Sequence, residues 1–194
     1  LAVAANATLT GAAQAAYNTT PAIHADRRTP MKLHIITTGG TIDKIYFDAK
    51  SDYQVGEPVI GELLKKMAVG FPFTVESAMR KDSLDITDED RELIRAAVAA
   101  DPCERIVITH GTDTMEETAR LLGEHLSDEG LAGKTVILTG AMIPYAFGSS
   151  DGLFNLGSSL AFAQSLPSGV YVAMNGRCFA WDNVRKNRDA GIFE

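Results

Sequence analysis

The stretch RIVITHGTDTMEETARLLGEHL, residues 105–126, sets a short β-branched run directly before a helical pattern. RIVIT (105–109) is typical of a buried strand, and residues 113–126 place apolar side chains at the spacing of an amphipathic helix. The polar segment from His110 to Thr114 joins the two elements. A strand followed at once by a helix is the unit from which parallel sheets are built. The stretch therefore predicts an α/β fold.

The same alternation of strand and helix runs through the chain from Lys32 onward. The pattern predicts strands at 32–38, 73–79, 105–109, 134–140 and 169–174, and helices at 59–68, 87–100, 113–126 and 151–166. This order favours a doubly wound, Rossmann-like parallel sheet with helices on both faces, formed by a single domain over residues 31–194. Ligands of such sheets bind at the carboxyl ends of the strands.

The amino-acid composition disfavours several classes of binding partner. The 194 residues are 45% hydrophobic, enough for a core, and carry a net charge of −7 from 18 Lys and Arg against 25 Asp and Glu. This balance disfavours nucleic acid, and no apolar run reaches the roughly 18 residues of a membrane span. Cys103 and Cys178 lack the spacing of a disulfide framework or a zinc site. We expect a small-molecule partner and a cytoplasmic location.

Residues 1–30 differ in composition from the rest of the chain. They are rich in Ala and Thr, do not begin with Met, and lack a basic segment followed by an intact apolar stretch. They are compatible with the remains of an export signal, an upstream extension or a cloning remnant. We expect a poorly ordered, low-complexity leader, with Met31 as the natural start, and export stays an alternative to a cytoplasmic location.

The glycines after the first strand raise the question of a phosphate loop. TTGGTID (37–43) contains neither GxGxxG nor GxxxxGK[ST], and Asp43 would repel a phosphate. Hydroxyl groups at a strand end instead indicate nucleophilic catalysis, which for Thr41 requires a base and hydrogen-bond donors for an oxyanion. The alternative is that Thr41 is only a turn residue.

The loop after the 105–109 strand offers complementary groups. Thr112 and Asp113 stand near a helix start, where free N–H groups favour a bound carboxylate, and Asp113 could take an ammonium. The alternative for either residue is a simple N-cap. His110 could be taken for a general base, although we interpret it as structural. Asp151 is equally compatible with a site loop and with an N-cap.

Three segments together carry a family resemblance. TTGGTI (37–42), ITHGTDTMEETA (108–119), and LTGAMIP followed by DGLFNL (138–144 and 151–156) resemble the conserved blocks of the bacterial-type L-asparaginase family. The resemblance spans residues 31–194 and covers that family's N-terminal α/β domain, which predicts a short-chain member. It implies hydrolysis of L-asparagine to L-aspartate and ammonia through a threonine nucleophile and an acyl-enzyme. It also implies an amino-acid amide as substrate, no metal or organic cofactor, and a homo-oligomer.

The resemblance assigns roles position by position. Thr41 corresponds to the first, nucleophilic threonine and Thr112 to the second. A lid tyrosine corresponds to Tyr53 in DYQVG, with Tyr46 as its rival. The substrate-binding positions that it implies are Ser83 for the α-carboxylate, Asp113 for the α-ammonium, and Gly40, Gly111 and Asp85 beside them.

One position departs from the family pattern. The family's catalytic lysine is expected fifteen residues beyond Asp151, where this chain has Leu166. A leucine neither accepts a proton nor supplies positive charge, so we expect the relay of the second threonine to be lost or served by another residue. The candidates for that substitute are Lys44, Lys81 and Lys186. A broader glutaminase or small-amide hydrolase, and a catalytically weak amino-acid-binding module, are the alternative functions.

Overall fold

The computed structural model describes residues 32–47 and 52–194. The expectations for the leader at residues 1–30 and for Met31 fall outside these residues. The described chain forms ten strands: β1 Leu33–Gly39, β2 Lys44–Phe47, β3 Asp52–Val55, β4 Phe73–Lys81, β5 Arg105–Thr109, β6 Thr135–Thr139, β7 Gly169–Met174, β8 Arg177–Ala180, β9 Lys186–Asn187 and β10 Ile192–Phe193. Its four α-helices are α1 Ile60–Lys66, α2 Asp88–Ala100, α3 Met115–Glu124 and α4 Gly152–Ser165.

The main sheet has the strand order β4-β1-β5-β6-β7-β8. The first five of these strands are parallel and include every strand that the sequence predicts. The doubly wound fold is therefore confirmed. The sheet is not wholly parallel, because β8 turns back antiparallel to β7 through a tight turn at Asn175 and Gly176, both at positive φ.

Two small hairpins, β2–β3 and β9–β10, lie outside the main sheet and were not predicted. Each contains strands of only four or two residues. Runs this short carry too little alternation to be recognised from sequence.

The core has two layers, one on each face of the sheet. Ile106 and Ile108 of β5 pack under α2 and α3, whereas Val107 between them packs on the opposite face under α1 and α4. Successive strand residues point to opposite faces, so a strand covered on both sides must be apolar throughout. This explains why the central strands read as continuous apolar runs.

Helix α2 begins where its sequence predicts. Thr87 Oγ1 accepts the backbone N–H of Asp90 at 3.3 Å, and Asp90 Oδ2 accepts the N–H of Thr87 at 2.9 Å, which is a capping box. Lys81 Nζ pairs with the same carboxylate at 2.6 Å and so links the end of β4 to the helix start.

The chain order reverses at the centre of the sheet, between β1 and β5. The chain leaves β1 toward β4 on one side and, after β4 and α2, returns to β5 on the other. The loops after β1 and β5 therefore diverge and leave a crevice at their carboxyl ends, where open α/β sheets bind ligands. These loops contain Thr41 and Thr112.

No helix among the described residues is long and apolar enough to cross a membrane.

Candidate active site

The loops after β1 and β5 meet at two glycines. Gly40 has a φ of 89°, and a Cβ on it would lie 2.4 Å from the backbone nitrogen of Gly111. A Cβ on Gly111 would in turn lie 2.5 Å from Ser83 Oγ. The backbone N–H of Gly40 donates to the carbonyl of Lys81 at 3.0 Å. Glycine at both positions therefore lets three segments of the predicted site make backbone contact.

Thr41 opens a short 3-10 turn, Thr41–Asp43, directly after this contact. Its side chain is half-buried, whereas the next residue, Ile42, is 1% exposed and packs into the core under α1 and α4. The buried neighbour fixes the turn and keeps Thr41 at the crevice. This placement suits a presented hydroxyl, and the nucleophilic role of Thr41 remains a prediction.

Asp43 closes the turn and is buried. Its Oδ1 accepts the backbone N–H of Val59 at 2.9 Å, and its backbone carbonyl accepts that of Gly56 at 2.8 Å. Its Oδ2 is buried and has no hydrogen-bond partner among the described residues. Burial raises the pKa of Asp43 to about 6, because the charged carboxylate loses its hydration. Asp43 thus ties the segment after β3 to the Thr41 turn.

His110 is fully buried and holds the second loop in place. Its Nδ1 lies 2.8 Å from the carbonyl of Gly111, which can only accept, so Nδ1 carries the hydrogen. Its Nε2 then accepts from the hydroxyl of Thr118 at 2.9 Å. Burial lowers the pKa of His110 to about 4, so the ring is neutral at neutral pH. These contacts fit the structural interpretation of His110.

Thr112 and Asp113 do not act as N-caps. Helix α3 begins at Met115, and the residue before it, Thr114, donates its hydroxyl to the carbonyl of Ser83 at 2.7 Å. The backbone N–H of Asp113 donates to Ser83 Oγ at 3.2 Å. Ser83 is 1% exposed and acts as an acceptor in both contacts. The loop is thus held by Ser83, and the Thr112 and Asp113 side chains point to another partner.

That partner is Lys186, one of the three lysines that the sequence offered as a substitute for the family's lysine. Lys186 Nζ lies 2.8 Å from Thr112 Oγ1 and 2.7 Å from Asp113 Oδ1. The side chain of Lys186 is 11% exposed, so the ion pair with Asp113 is shielded from solvent. Of the three candidate lysines, Lys44 and Lys81 instead pair with Asp82 and Asp90.

Leu166 lies at the wrong edge of the sheet to replace a catalytic lysine. It follows α4, and its carbonyl lies 3.5 Å from the hydroxyl of Thr135, the first residue of β6. Helices of doubly wound sheets run back against the strands, so a helix end lies near strand starts. Counting along α4 from Asp151 therefore leads away from the crevice.

Asp151 stands at the N-cap position of α4, but its side chain binds the loop after β6 instead of capping the helix. Its carboxylate accepts the backbone N–H groups of Met142 and Ile143 at 3.0 Å and the side-chain amide of Asn155 at 2.8 Å. Among the described residues it makes no side-chain cap bond to α4. Asp151 therefore stabilises the loop after β6 through hydrogen bonds to the backbone of that loop.

Tyr46 and Tyr53 face each other across the β2–β3 hairpin, with ring centroids 5.4 Å apart. The Tyr53 ring also packs 5.6 Å from the Phe147 ring, which joins the hairpin to the loop after β6. Tyr53 lines an open cleft of about 460 Å³ together with Lys44, Gln54, Val55, Arg80, Lys81, Asp82 and Asp85. The cleft brings Tyr53 together with Asp85, one of the predicted substrate-binding residues, whereas Thr41 and Thr112 are not among its lining residues.

The sequence of the chain matches the model of a known protein family. The family model described as "Asparaginase, N-terminal" matches residues 32–192. The chain belongs to the asparaginase family. An L-asparaginase of Thermococcus kodakarensis is 31% identical over 169 residues, and L-asparaginase 1 of Escherichia coli K12 is 34% identical over 172 residues. These alignments cover 84% and 82% of this chain and 49% and 48% of the relatives.

Solved structures agree with the assignment to the asparaginase family. The thermostable L-asparaginase of Thermococcus kodakarensis superposes with a TM-score of 0.72 at 30% identity and L-asparaginase I of Vibrio cholerae with 0.72 at 32%. They cover 84% and 86% of this chain and 51% of each solved chain. The chain thus spans about half the length of the relatives that it matches.

The sequence names Lys186 only as one of three candidate lysines and does not place it beside Thr112. Lys186 stands in a two-residue strand of a hairpin whose anchor, Phe193, is 1% exposed and donates its N–H to Asn175 Oδ1 at 3.0 Å. No periodic pattern marks so short a strand. The sequence feature that could have indicated Lys186 is its position after the last parallel strand, in the segment that leads back to the crevice.

Residues 32–47 and 52–194 contain no group of three or more His, Cys, Asp or Glu side chains that could hold a metal ion.

Proposed function

We propose that this chain hydrolyses the side-chain amide of L-asparagine, giving L-aspartate and ammonia. The observation that supports this most directly is the cluster of Thr112, Asp113 and Lys186, in contact at 2.7–2.8 Å beside the loop that carries Thr41. The L-asparaginase names of the relatives favour the same reaction.

In the proposed reaction, Thr41 Oγ attacks the amide carbon of the substrate. The backbone N–H groups around Gly40 and Gly111 stabilise the oxyanion of the tetrahedral intermediate. The carbon–nitrogen bond then breaks, and the threonine proton, carried by Tyr53 or Tyr46, goes to the leaving nitrogen so that ammonia departs. Water attacks the remaining ester, releases aspartate and returns the proton to Thr41.

The second cluster positions the substrate and supplies charge. The Lys186 ammonium donates to Thr112 Oγ1 and to Asp113 Oδ1, which holds the threonine hydroxyl in a defined orientation. A cation at this position also stabilises negative charge that develops on an oxygen nearby. The proposal has Asp113 accept the substrate ammonium and the Ser83 hydroxyl donate to its carboxylate.

A broader amidase is the second candidate. Glutaminase-asparaginase of Acinetobacter glutaminasificans is 33% identical over 166 residues. A pocket one methylene longer admits the longer amide, and such a difference changes binding by only about 1–3 kcal/mol. The third candidate is an amino-acid-binding module with weak catalysis. In it, Ser83 and Asp113 would bind the amino acid, and little or no amide would be hydrolysed.

Ammonia release separates these candidates. The purified full chain, and a form that begins at Met31, are given L-asparagine or L-glutamine, beside Thr41→Ala and Thr112→Ala. Thr74→Ala, at an exposed residue of β4, is the matched control. We expect release from asparagine that Thr41→Ala abolishes and Thr74→Ala preserves.

Three other outcomes would contradict parts of the proposal. Release from glutamine alone favours the broader amidase. No release from either amide, with asparagine binding detected by calorimetry, favours the binding module. Full activity in Thr41→Ala overturns the nucleophile.

We further propose a homo-oligomer in a reducing, cytoplasmic compartment. Cys103 and Cys178 are both free thiols in the structure. The names of the relatives include a probable periplasmic enzyme of Haemophilus influenzae and a probable cytoplasmic one of Campylobacter jejuni. Light scattering and fractionation of the native cells test the two statements.

A further inference from the structure

Glu116 connects the candidate lysine to the helix beside the site. It lies in the first turn of α3, and its Oε2 accepts the backbone N–H of Lys186 at 2.8 Å, across 70 residues of sequence. The side chain of Glu116 is half-buried. A charged acceptor makes a stronger hydrogen bond to an amide than a neutral one does.

The backbone around Lys186 is restrained by the hairpin, in which Arg185 and Glu194 exchange backbone hydrogen bonds at 2.8 Å, and by Arg188, whose Nη2 donates to the carbonyl of Asp113 at 3.3 Å. β9 has two residues and pairs only with β10, through Lys186 with Phe193 and Asn187 with Ile192. A lysine side chain has four flexible carbon–carbon bonds, so the place that its amine reaches depends on where its backbone is held. The Glu116 contact fixes that backbone from the α3 side.

The side-chain amine and the backbone N–H of Lys186 therefore both contact one continuous segment, residues 112–116. Its amine contacts Thr112 and Asp113, and its backbone contacts Glu116, which follows Asp113 by three residues. We propose that Glu116 is a positioning residue, which sets the Lys186 backbone so that the amine reaches Thr112. This inference rests on the proposed function, in which Lys186 acts at the site.

The neighbouring carboxylate has a different task. Glu117 pairs with Arg91 Nη2 of α2 at 2.5 Å and so joins the two helices. The MEET sequence thus contains two adjacent glutamates, of which Glu116 faces the lysine strand and Glu117 faces the neighbouring helix.

Three variants test the positioning role. Glu116→Ala removes the acceptor, Glu116→Gln keeps an acceptor oxygen without the charge, and Glu124→Ala removes an exposed glutamate from the last turn of the same helix. Small misplacements of a catalytic group cost on the order of tenfold to a hundredfold in rate. We expect kcat to fall at least about tenfold in Glu116→Ala, with KM changed much less. Glu116→Gln should recover most of kcat, and Glu124→Ala should match the parent.

A spectroscopic measurement makes the result independent of turnover. The backbone amide proton of Lys186, assigned by NMR in the full chain, should shift upfield and exchange faster in Glu116→Ala than in the parent. Glu116→Gln should lie close to the parent. An unchanged Lys186 amide in Glu116→Ala overturns the contact.

A parent-like kcat in Glu116→Ala overturns the positioning role. A loss of kcat in Glu116→Gln as large as that in Glu116→Ala also overturns it, because the charge of Glu116 would then matter more than its hydrogen bond. Failure of the proposed function looks different. In that case the parent releases no ammonia, while the Lys186 amide still responds to Glu116→Ala.

Discussion

Lys186 Nζ lies 2.8 Å from Thr112 Oγ1, although 74 residues separate them in the chain. β7 ends at the carboxyl edge of the sheet and β8 runs back antiparallel to it; residues 181–185 then lead to the β9–β10 hairpin, anchored by buried Phe193, which places Lys186 at the loop after β5. The lysine of the site thus arrives from beyond the last parallel strand.

Replacement of this lysine should remove activity. Lys186→Met keeps the length of the side chain but loses the cation beside Thr112 and Asp113. Loss of a general acid–base or charge-stabilising group costs about 10²–10⁴-fold in rate, so kcat should fall within that range. Steady-state ammonia release measures it.

Lys81→Met is the comparison for this variant, since Lys81 lies at the cleft but pairs with Asp90. It should lower stability slightly through α2 and leave kcat within a few-fold of the parent. If Lys81→Met loses as much activity as Lys186→Met, Lys186 is not the functional lysine.

The two tyrosines can be separated by their hydroxyl groups. Tyr53→Phe and Tyr46→Phe both preserve the ring contact across the hairpin, so a change in rate reports on the hydroxyl alone. Because the family resemblance places the lid tyrosine at Tyr53, we expect Tyr53→Phe to lower kcat by at least about tenfold and Tyr46→Phe to change it little. The opposite ranking would assign the proton transfer to Tyr46.

The sequence predicted the parts of this molecule that follow from local patterns of apolar residues. The strands β1, β5, β6 and β7 were predicted because each is a short buried run rich in β-branched residues, and α2 and α3 because each repeats an apolar face. The loops at Thr41 and Thr112 were located because ligands of such sheets bind at strand ends.

What the sequence could not predict depends on contacts between distant segments. The β2–β3 hairpin that holds Tyr53 is fixed by packing against Phe147, and the β9 strand that holds Lys186 is fixed by Glu116 and Phe193. A fixed count from Asp151 therefore led to Leu166, whereas the fold supplies the cation from another element.

Gly40 should tolerate no side chain. Gly40→Ala places a Cβ 2.4 Å from the Gly111 nitrogen and also strains a φ of 89°. Gly133→Ala is the matched control, because Gly133 has a φ of 84° but nothing within 4 Å of the added Cβ. The strained backbone of Gly40, with φ 89° and ψ −171°, alone costs about 1–3 kcal/mol of unfolding free energy, and the close contact should add roughly 1–3 kcal/mol in Gly40→Ala. Urea unfolding measures both, and equal losses would show that the two loops can separate without cost.

Asp43 should make stability depend on pH. Its pKa rises from 3.8 in the unfolded chain to about 6 in the fold, so the folded protein binds this proton more tightly. The stability that Asp43 contributes is therefore complete below about pH 4 and is lost as pH rises through about 6, a change of about 3 kcal/mol. Asp43→Asn keeps the acceptor for the Val59 N–H but cannot ionise, so the difference in unfolding free energy between parent and variant should change by most of that amount between pH 4 and 7. Urea titrations at several pH values measure it, with Asp182→Asn, at an exposed aspartate, as control for the loss of one carboxylate. A parent–variant difference that is flat over this range would mean that the buried carboxyl is already ionised at pH 4 in the folded protein.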